Sequence, residues 1–268
     1  MPEGDTVYRA ARLLDRALTG ATLTRTDFRV PELATTDLSG AQVLETVSRG
    51  KHLLTRVRTS DQDWTLHTHL KMEGAWRVHE PGARWRRPAH QARVVLETER
   101  TVAVGFSLGI VELVATEDET TVVGHLGPDL LGPDWDEVAA LSRLGEDPLR
   151  PIGEALLDQT RLAGIGNMYQ AELCFVSGVH PATPIGQVPD LTRLIRRAKQ
   201  MLDLNKERAI QSTTGDLRER QRLWVYRRDR LPCRRCQTPV SVAMTGPAGR
   251  ERASYWCPSC QPVTVVSG

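Results

Sequence analysis

The sequence predicts an α+β fold in two parts: an N-terminal β-sandwich with flanking helices, then a helical region closed by a cysteine-rich module. Three observations predict it. Between about residues 22 and 124, short segments rich in β-branched residues recur, separated by Gly, Pro and Asp clusters. Beyond residue 134 the apolar residues adopt helical spacing. Near the C-terminus stand two Cys-x-x-Cys pairs, Cys233/Cys236 and Cys257/Cys260.

Taken in order, residues 5–18 predict a first helix: Val7, Ala11, Leu14 and Leu18 share one face, and Gly20 suits the C′ position. Pro2 and Glu3 then lie just outside its start, at the positive end of the helix dipole. Strands are predicted at 22–28, 41–47, 52–58, 64–70, 92–98, 101–107 and 110–116, a density that implies two packed sheets. GHLGPDLLGPD, residues 124–134, reads as a hinge. Helices are expected near 135–143, 151–160, 168–177 and 190–205. The resulting boundaries are a first domain at 1–124, a linker at 125–134, a helical domain at 135–222, the cysteine module at 223–262, and a frayed tail at 263–268.

With 268 residues and 40% apolar content the chain has enough material for a core. No apolar run reaches membrane-spanning length, and Asp5, Arg9, Arg12 and Asp15 interrupt any signal-peptide pattern. The expectation is a soluble cytoplasmic monomer. The net charge is only +2, yet residues 191–256 hold 16 Lys+Arg against 6 Asp+Glu, leaving −8 for the remainder. This asymmetry predicts a polyanion-binding C-terminal region; a solvated helix face is the plainer alternative.

The cysteine pairs are separated by twenty residues, room for a β-hairpin between two knuckles. Four thiolates at this spacing suit one tetrahedral zinc ion, with two disulfides the alternative in an oxidising compartment. A closed four-cysteine site has no open position, so the zinc is structural. Cys174, among apolar neighbours, reads as a core residue.

The first residues are MPEGDT. Proline at position 2 permits removal of the initiator methionine, which would expose a secondary amine. An α-amino group titrates near about 7.7–8.0, so much of it is a free nucleophile at neutral pH and can form an imine with an electrophilic carbon. A merely stable chain start is the plainer alternative. In RLAGIGNMYQAEL, residues 161–173, Gly164 and Gly166 allow a tight turn, Asn167 is placed to cap the helix that follows, and the turn suits a phosphate. An ordinary helix–helix corner would use the same residues.

MPEG at the start, Lys51 within RGKHLL, GIGNMYQAEL and a C-terminal four-cysteine finger, in this order along the whole chain, resemble the bacterial family of formamidopyrimidine-DNA glycosylase and endonuclease VIII. The resemblance implies a bifunctional DNA glycosylase and AP lyase of base-excision repair. The implied fold is a β-sandwich, a hinge, a helix–two-turn–helix domain and a zinc finger, with DNA held in the cleft between two lobes. It implies that the Pro2 amine attacks C1′ of the deoxyribose and displaces the damaged base, while Glu3 protonates the ring oxygen. The resulting Schiff base drives β- and then δ-elimination. Lys51, Asn167 and Arg252 match the residues that grip the phosphates around the flipped nucleotide. HLKMEGAWRV, residues 69–78, matches the loop that fills the gap left by flipping, with Met72 as the wedge and Lys71 entering the groove. By itself Met72 reads equally as a core methionine. His67 and His69 fall on one sheet face, as a packed or hydrogen-bonded pair or as a metal pair.

Within the family the chain leans toward endonuclease VIII. GFSLGIVEL, residues 105–113, lacks the arginine-phenylalanine motif of the purine-preferring branch, and residues 213–229 leave little room for its lid loop. The implied substrates are oxidised pyrimidines in duplex DNA and abasic sites, with single-stranded or bubble DNA also accommodated. Thr6 replaces a second family glutamate and Asp5 a proline, so the lyase step is the firmer expectation. The other readings are a catalytically silent damaged-DNA-binding zinc protein and an enzyme of the same fold preferring oxidised purines.

Overall fold

The computed structural model describes residues 2–249 and 251–263. The methionine whose removal is expected, and all but Val263 of the predicted tail, lie outside the described residues. The chain divides into two compact units, Met1–His125 and Leu126–Gly268.

The first unit opens with α1, Gly4–Leu18, whose Val7, Ala11, Leu14 and Leu18 are buried as their spacing predicts. Gly20, at φ 81°, ends it. The Asp15 carboxylate accepts from the Thr46 backbone N–H at 3.1 Å, tying the helix to the sheet beside it. Eight strands follow. They are β1 (Arg25–Phe28), β2 (Gln42–Arg49), β3 (His52–Arg58), β4 (Asp63–His69), β5 (Ala75–His79), β6 (Ala92–Glu97), β7 (Val102–Phe106) and β8 (Ile110–Ala115). They form two four-stranded antiparallel sheets in the orders β1-β6-β7-β5 and β2-β3-β4-β8. Leu23, Phe28, Val43, Leu53, Leu66, Trp76, Val94 and Leu96 form the buried core with the α1 stripe.

One strand escaped the sequence reading. Residues 69–78 are not all loop: Ala75–His79 is β5, paired with β7, and only 70–74 connect β4 to it. AWRVH is short, and Trp76 is its only fully buried side chain, so alternation is barely visible. The short helix α2, Glu119–Val123, was also missed.

The second unit contains α3 (Glu137–Gly145), α4 (Ile152–Leu157), α5 (Asn167–Ser177) and α6 (Leu191–Asn205). Asp136 and Asp190 cap α3 and α6 through backbone N–H groups. The helix expected to run to residue 160 stops at Leu157. Beyond it the Gln159 side chain donates to the carbonyls of Leu157 and Ile165 and accepts from Gly164 N–H, building a turn instead. Then comes a two-stranded hairpin of β9 (Ser241–Thr245) and β10 (Arg252–Trp256). No helix among the described residues is long and apolar enough to cross a membrane.

Glu172 fastens the cysteine module's approach to α5. Its fully buried carboxylate accepts from the Thr213 hydroxyl and from the backbone N–H groups of Trp224, Val225 and Tyr226 at 2.7–2.8 Å. Burial raises its pKa and the four donors oppose the rise. Glu172→Leu strands the three backbone donors and is expected to lower stability by about 3–5 kcal/mol in chemical denaturation. Glu172→Gln keeps an acceptor oxygen and should lose less.

Candidate functional site

Pro2 is half-buried, and Glu3 is fully buried as the N-cap residue of α1. The Glu3 carbonyl accepts from Val7 N–H at 3.0 Å, which anchors the chain's first residues to a 15-residue helix. The dipole of that helix favours negative charge on the Glu3 side. Asp5 is also buried, and the Thr6 hydroxyl lies 3.5 Å from its carboxylate.

Lys51 sits with Gly50 in the two-residue turn joining β2 to β3, closed by the Arg49/His52 pair. Gly50 has φ 58°, at the first loop position, where a type II′ turn takes glycine. Lys71 and Met72 lie in the β4–β5 connection. Met72 is 60% exposed, which excludes the core-methionine alternative. Lys71 has φ 50°, in the left-handed region that glycine usually occupies and other residues seldom do. The β7–β8 turn closes beneath it. Gly109 N–H donates to the His69 carbonyl at 2.9 Å, and a Cβ on Gly109 would fall 2.1 Å from Lys71 Cγ.

Lys51 and Lys71 flank a histidine cluster that the sequence did not reveal, because its members come from three separate segments. His52 Nδ1 is 2.7 Å from His67 Nε2, and His67 Nδ1 is 3.0 Å from the Glu112 carboxylate. With its proton on Nδ1, His67 donates to the Glu112 carboxylate and its Nε2 accepts from His52. The rings of His69 and His125 stand edge-on to His52, at centroid distances of 5.0 and 6.1 Å. His69 Nδ1 accepts from Lys71 N–H. His67 and His69 share a sheet face as expected, but each is hydrogen-bonded to another residue, His67 to His52 and Glu112 and His69 to Lys71.

Burial, then the neighbouring His69, His67, His125 and Lys71, lowers the His52 pKa to about 3. Burial and the two lysines lower that of His69 to about 4. A histidine whose folded pKa lies below its unfolded value of about 6.5 binds fewer protons folded than unfolded below that pH. Stability should therefore fall as pH drops from 7 to 5. His52→Gln should reduce that fall by about 1–2 kcal/mol, read from unfolding curves at the two pH values.

In the second unit Gly164 has φ 111°, and an added Cβ would press on Leu202 at 3.3 Å. Gly166 is the N-cap of α5, in extended backbone. Asn167 is not the cap; it is the first helical residue, and its side chain, nine-tenths buried, turns toward β10. Its amide nitrogen donates to the Ala253 carbonyl at 2.7 Å, leaving a second N–H to give. Its Oδ1 is buried with no hydrogen-bond partner. Arg252, adjacent to Ala253, is exposed and meets no carboxylate among the described residues. The structure thus joins Asn167, at the start of α5, to β10, the strand on which Arg252 lies, across 86 positions of sequence.

The sulfur atoms of Cys233, Cys236, Cys257 and Cys260 all lie within 4.8 Å of one another, with Cys236–Cys257 at 3.4 Å and Cys233–Cys260 at 3.9 Å. A tetrahedral ion with bonds of about 2.3 Å requires sulfur separations of about 3.8 Å, so the tetrad fits such an ion. All four cysteines are free, which sets aside the disulfide alternative. Among the described residues no other group of His, Cys, Asp or Glu could hold a metal. Cys174 is fully buried, and burial pushes its thiol up to about 12.

Two family models match the chain: the formamidopyrimidine-DNA glycosylase N-terminal domain over residues 1–107 and the formamidopyrimidine-DNA glycosylase H2TH domain over 126–216. Among curated proteins, the Probable endonuclease 8 2 of Streptomyces coelicolor is 54% identical, over 97% of this chain and 94% of that one. The DNA-(apurinic or apyrimidinic site) lyase Nei2 of Mycolicibacterium smegmatis is 50% identical, over 97% and 99%. The Endonuclease 8 of Escherichia coli is 31% identical, over 97% and 100%. Among solved structures, Lactococcus lactis Fpg complexed with abasic-site DNA superposes with a TM-score of 0.78 at 21% identity, covering 97% of this chain and 100% of that one. That likeness shows the fold.

Proposed function

The chain belongs to the formamidopyrimidine-DNA glycosylase family, on its endonuclease VIII side, and from that premise we propose that it is a bifunctional DNA glycosylase and AP lyase that removes oxidised pyrimidines and nicks the strand. The observation that carries the proposal is Glu3, fully buried at the start of α1 and directly after Pro2. A buried carboxyl beside a low-pKa amine is the pairing that imine chemistry needs.

Removal of Met1 frees the Pro2 amine, which attacks C1′ of a nucleotide flipped from the stack. The C1′–base bond breaks and the base departs. Glu3 supplies the proton that opens the sugar ring, and the C1′ imine accepts the electrons released by loss of the C2′ proton. The 3′ phosphate leaves in β-elimination and the 5′ phosphate in δ-elimination. Lys51 and Arg252 hold these phosphates and assist the two eliminations. Asn167, Lys71, Gly164 and Gly166 contact the backbone, and Met72 fills the vacated gap. Phosphate contacts of this kind position DNA without reading its sequence.

Pyrimidine preference is what the resemblance to the endonuclease VIII branch implies, and the sequence of the β7–β8 turn supports it. Residues 105–113, which include that turn, lack the arginine-phenylalanine motif of the purine-preferring branch, and Gly109 packs there against the Lys71 stem. Zinc is the ion proposed for the cysteine tetrad; it holds the finger's shape so that Arg252 is presented to DNA. Duplex DNA with a damaged base or abasic site is the proposed substrate, with single-stranded or bubble DNA also accepted, and the site of action is the nucleoid in the cytoplasm. Thr6, lacking a carboxyl, favours a lyase stronger than the base-release step.

Borohydride reduction in the presence of an abasic-site oligonucleotide tests the proposal. A covalent adduct mapped to Pro2 is the expected result. Binding without capture would replace the enzyme with a silent damaged-DNA-binding protein.

A further inference from the structure

We propose that the segment joining β5 to β6 is a second nucleic-acid-binding surface, in which Arg84 and Arg86 take the phosphate backbone of duplex DNA beside the loop carrying Lys71 and Met72. The inference rests on the function proposed above and extends the interface to residues with no part in the lesion chemistry.

The first ground is charge. Residues 81–96 contain Arg84, Arg86, Arg87 and Arg93 and no acidic residue, within a unit whose charges otherwise lean negative. Some exposed arginines elsewhere in this unit are paired with carboxylates, Arg25 with Glu97, Arg29 with Asp27 and Arg58 with Asp63, while Arg16, Arg77 and Arg100 stand scattered and singly on other elements. Arg84 and Arg86 are exposed and meet no carboxylate among the described residues. An uncompensated pair of guanidinium groups suits a phosphate backbone, which each can grip through two N–H donors.

The second ground is preorganisation. Exposure alternates along Arg84, Trp85, Arg86 and Arg87, so Trp85 and Arg87 turn inward while Arg84 and Arg86 turn outward. Trp85 packs edge-on to Phe106 at 5.8 Å and covers the outer face of the β1-β6-β7-β5 sheet, against Ala92, Val95, Val102 and Val104. The Arg29 guanidinium lies 5.6 Å over the Trp85 ring, and Arg29 also donates to the Ala89 carbonyl. A segment held this firmly loses little entropy on binding.

The third ground is position. Arg87 lies over Phe106 and donates to the Glu73 carbonyl at 3.1 Å. Glu73 follows Met72 directly. The arginine segment is thus fastened to the loop assigned to the DNA gap, and DNA engaged by Met72 has its flanking backbone at Arg84 and Arg86. Duplex DNA, rather than a membrane surface, is therefore the partner.

The test is fluorescence anisotropy of full-length protein on a duplex bearing a stable abasic-site analogue, at a series of salt concentrations. Wild type is compared with the double variant Arg84→Gln/Arg86→Gln and with Arg25→Gln/Arg58→Gln, which removes the same charge from paired arginines. Each lost phosphate contact lowers the salt-dependence slope by about 0.9, so the first variant should lose about 1.8 and, with affinities converging near 1 M salt, bind roughly sixtyfold more weakly near 0.1 M salt. The second should change far less. An unchanged slope in the first variant, or equal losses in both, overturns the inference. So does retention of DNA affinity together with loss of binding to vesicles of anionic phospholipid, which would make the segment a membrane surface. If wild type does not bind the abasic duplex at all, the proposed function itself falls, and this inference with it.

Discussion

Release of an oxidised pyrimidine from duplex DNA is expected to fall at least about a hundredfold when Glu3 is replaced by glutamine, the loss that goes with removing a general acid. Glutamine keeps the shape and an acceptor oxygen but has no acidic proton. Glu3 is fully buried, so water cannot readily substitute for it. Binding to an abasic-site analogue should stay within a few-fold of wild type, because Glu3 makes no phosphate contact in the proposed mechanism. The measurement is single-turnover excision beside an affinity titration, with a thermal melt confirming that the buried substitution folds. Borohydride capture completes it. Wild type should give an adduct at Pro2, and Pro2→Gly should give one at its own terminal amine, so the mapped position decides more than the yield. Excision undiminished in Glu3→Gln would remove Glu3 from the reaction. An adduct on Lys51 instead of the terminus would overturn the role given to Pro2.

Loss of the metal is the second large effect. Four thiolates closing one tetrahedral site bind zinc with an apparent free energy of about 10–16 kcal/mol in small finger modules, and that energy is folding energy. The module here has few buried apolar residues of its own around Cys233, Val240 and Cys257. Without the ion the β9–β10 hairpin has little to hold it, and Arg252 on β10 and the Ala253 carbonyl that anchors Asn167 lose their places. The expected results are one zinc per chain by elemental analysis, and a fall of at least about a hundredfold in abasic-site affinity after chelation or in Cys257→Ser. Added zinc, but not magnesium, should restore the chelated protein, since thiolates prefer the softer ion. A metal-free protein with undiminished affinity would show the tetrad to be dispensable.

Much of this molecule was legible before its structure. The α1 stripe, the Gly20 stop and seven of the eight sandwich strands follow local rules of spacing and turn chemistry. The cysteine spacing carried its own geometry. Ala75–His79 failed because the strand is short and its one large buried residue gives no period. The α4 boundary failed because Gln159, a good helix former, spends its side chain bridging a turn. Asn167 was misassigned as a cap for a related reason. Capping would use Oδ1 as the acceptor of a helix N–H; instead the side chain is turned so that its amide N–H donates to the Ala253 carbonyl, 86 positions away, a contact that no local preference announces.

The reacting groups and their kinds can be named without any fold: a proline that can become terminal, the glutamate after it, four thiolates, a glycine-rich turn before a helix, and a basic C-terminal stretch. These are properties of residue type and near-neighbour spacing, which no fold can change. Which distant residues come into contact was settled by folding. It buried Glu3 at the foot of α1 and set His52, His67 and Glu112 in one hydrogen-bonded chain beneath Lys51. It hung Asn167 and β10 on one hydrogen bond and fastened Arg87 to the Met72 loop. The physical reason is that antiparallel register and helix packing bring side chains into contact across tens of residues. Burial then gives those contacts their strength, and neither register nor burial between remote segments is written in local pattern.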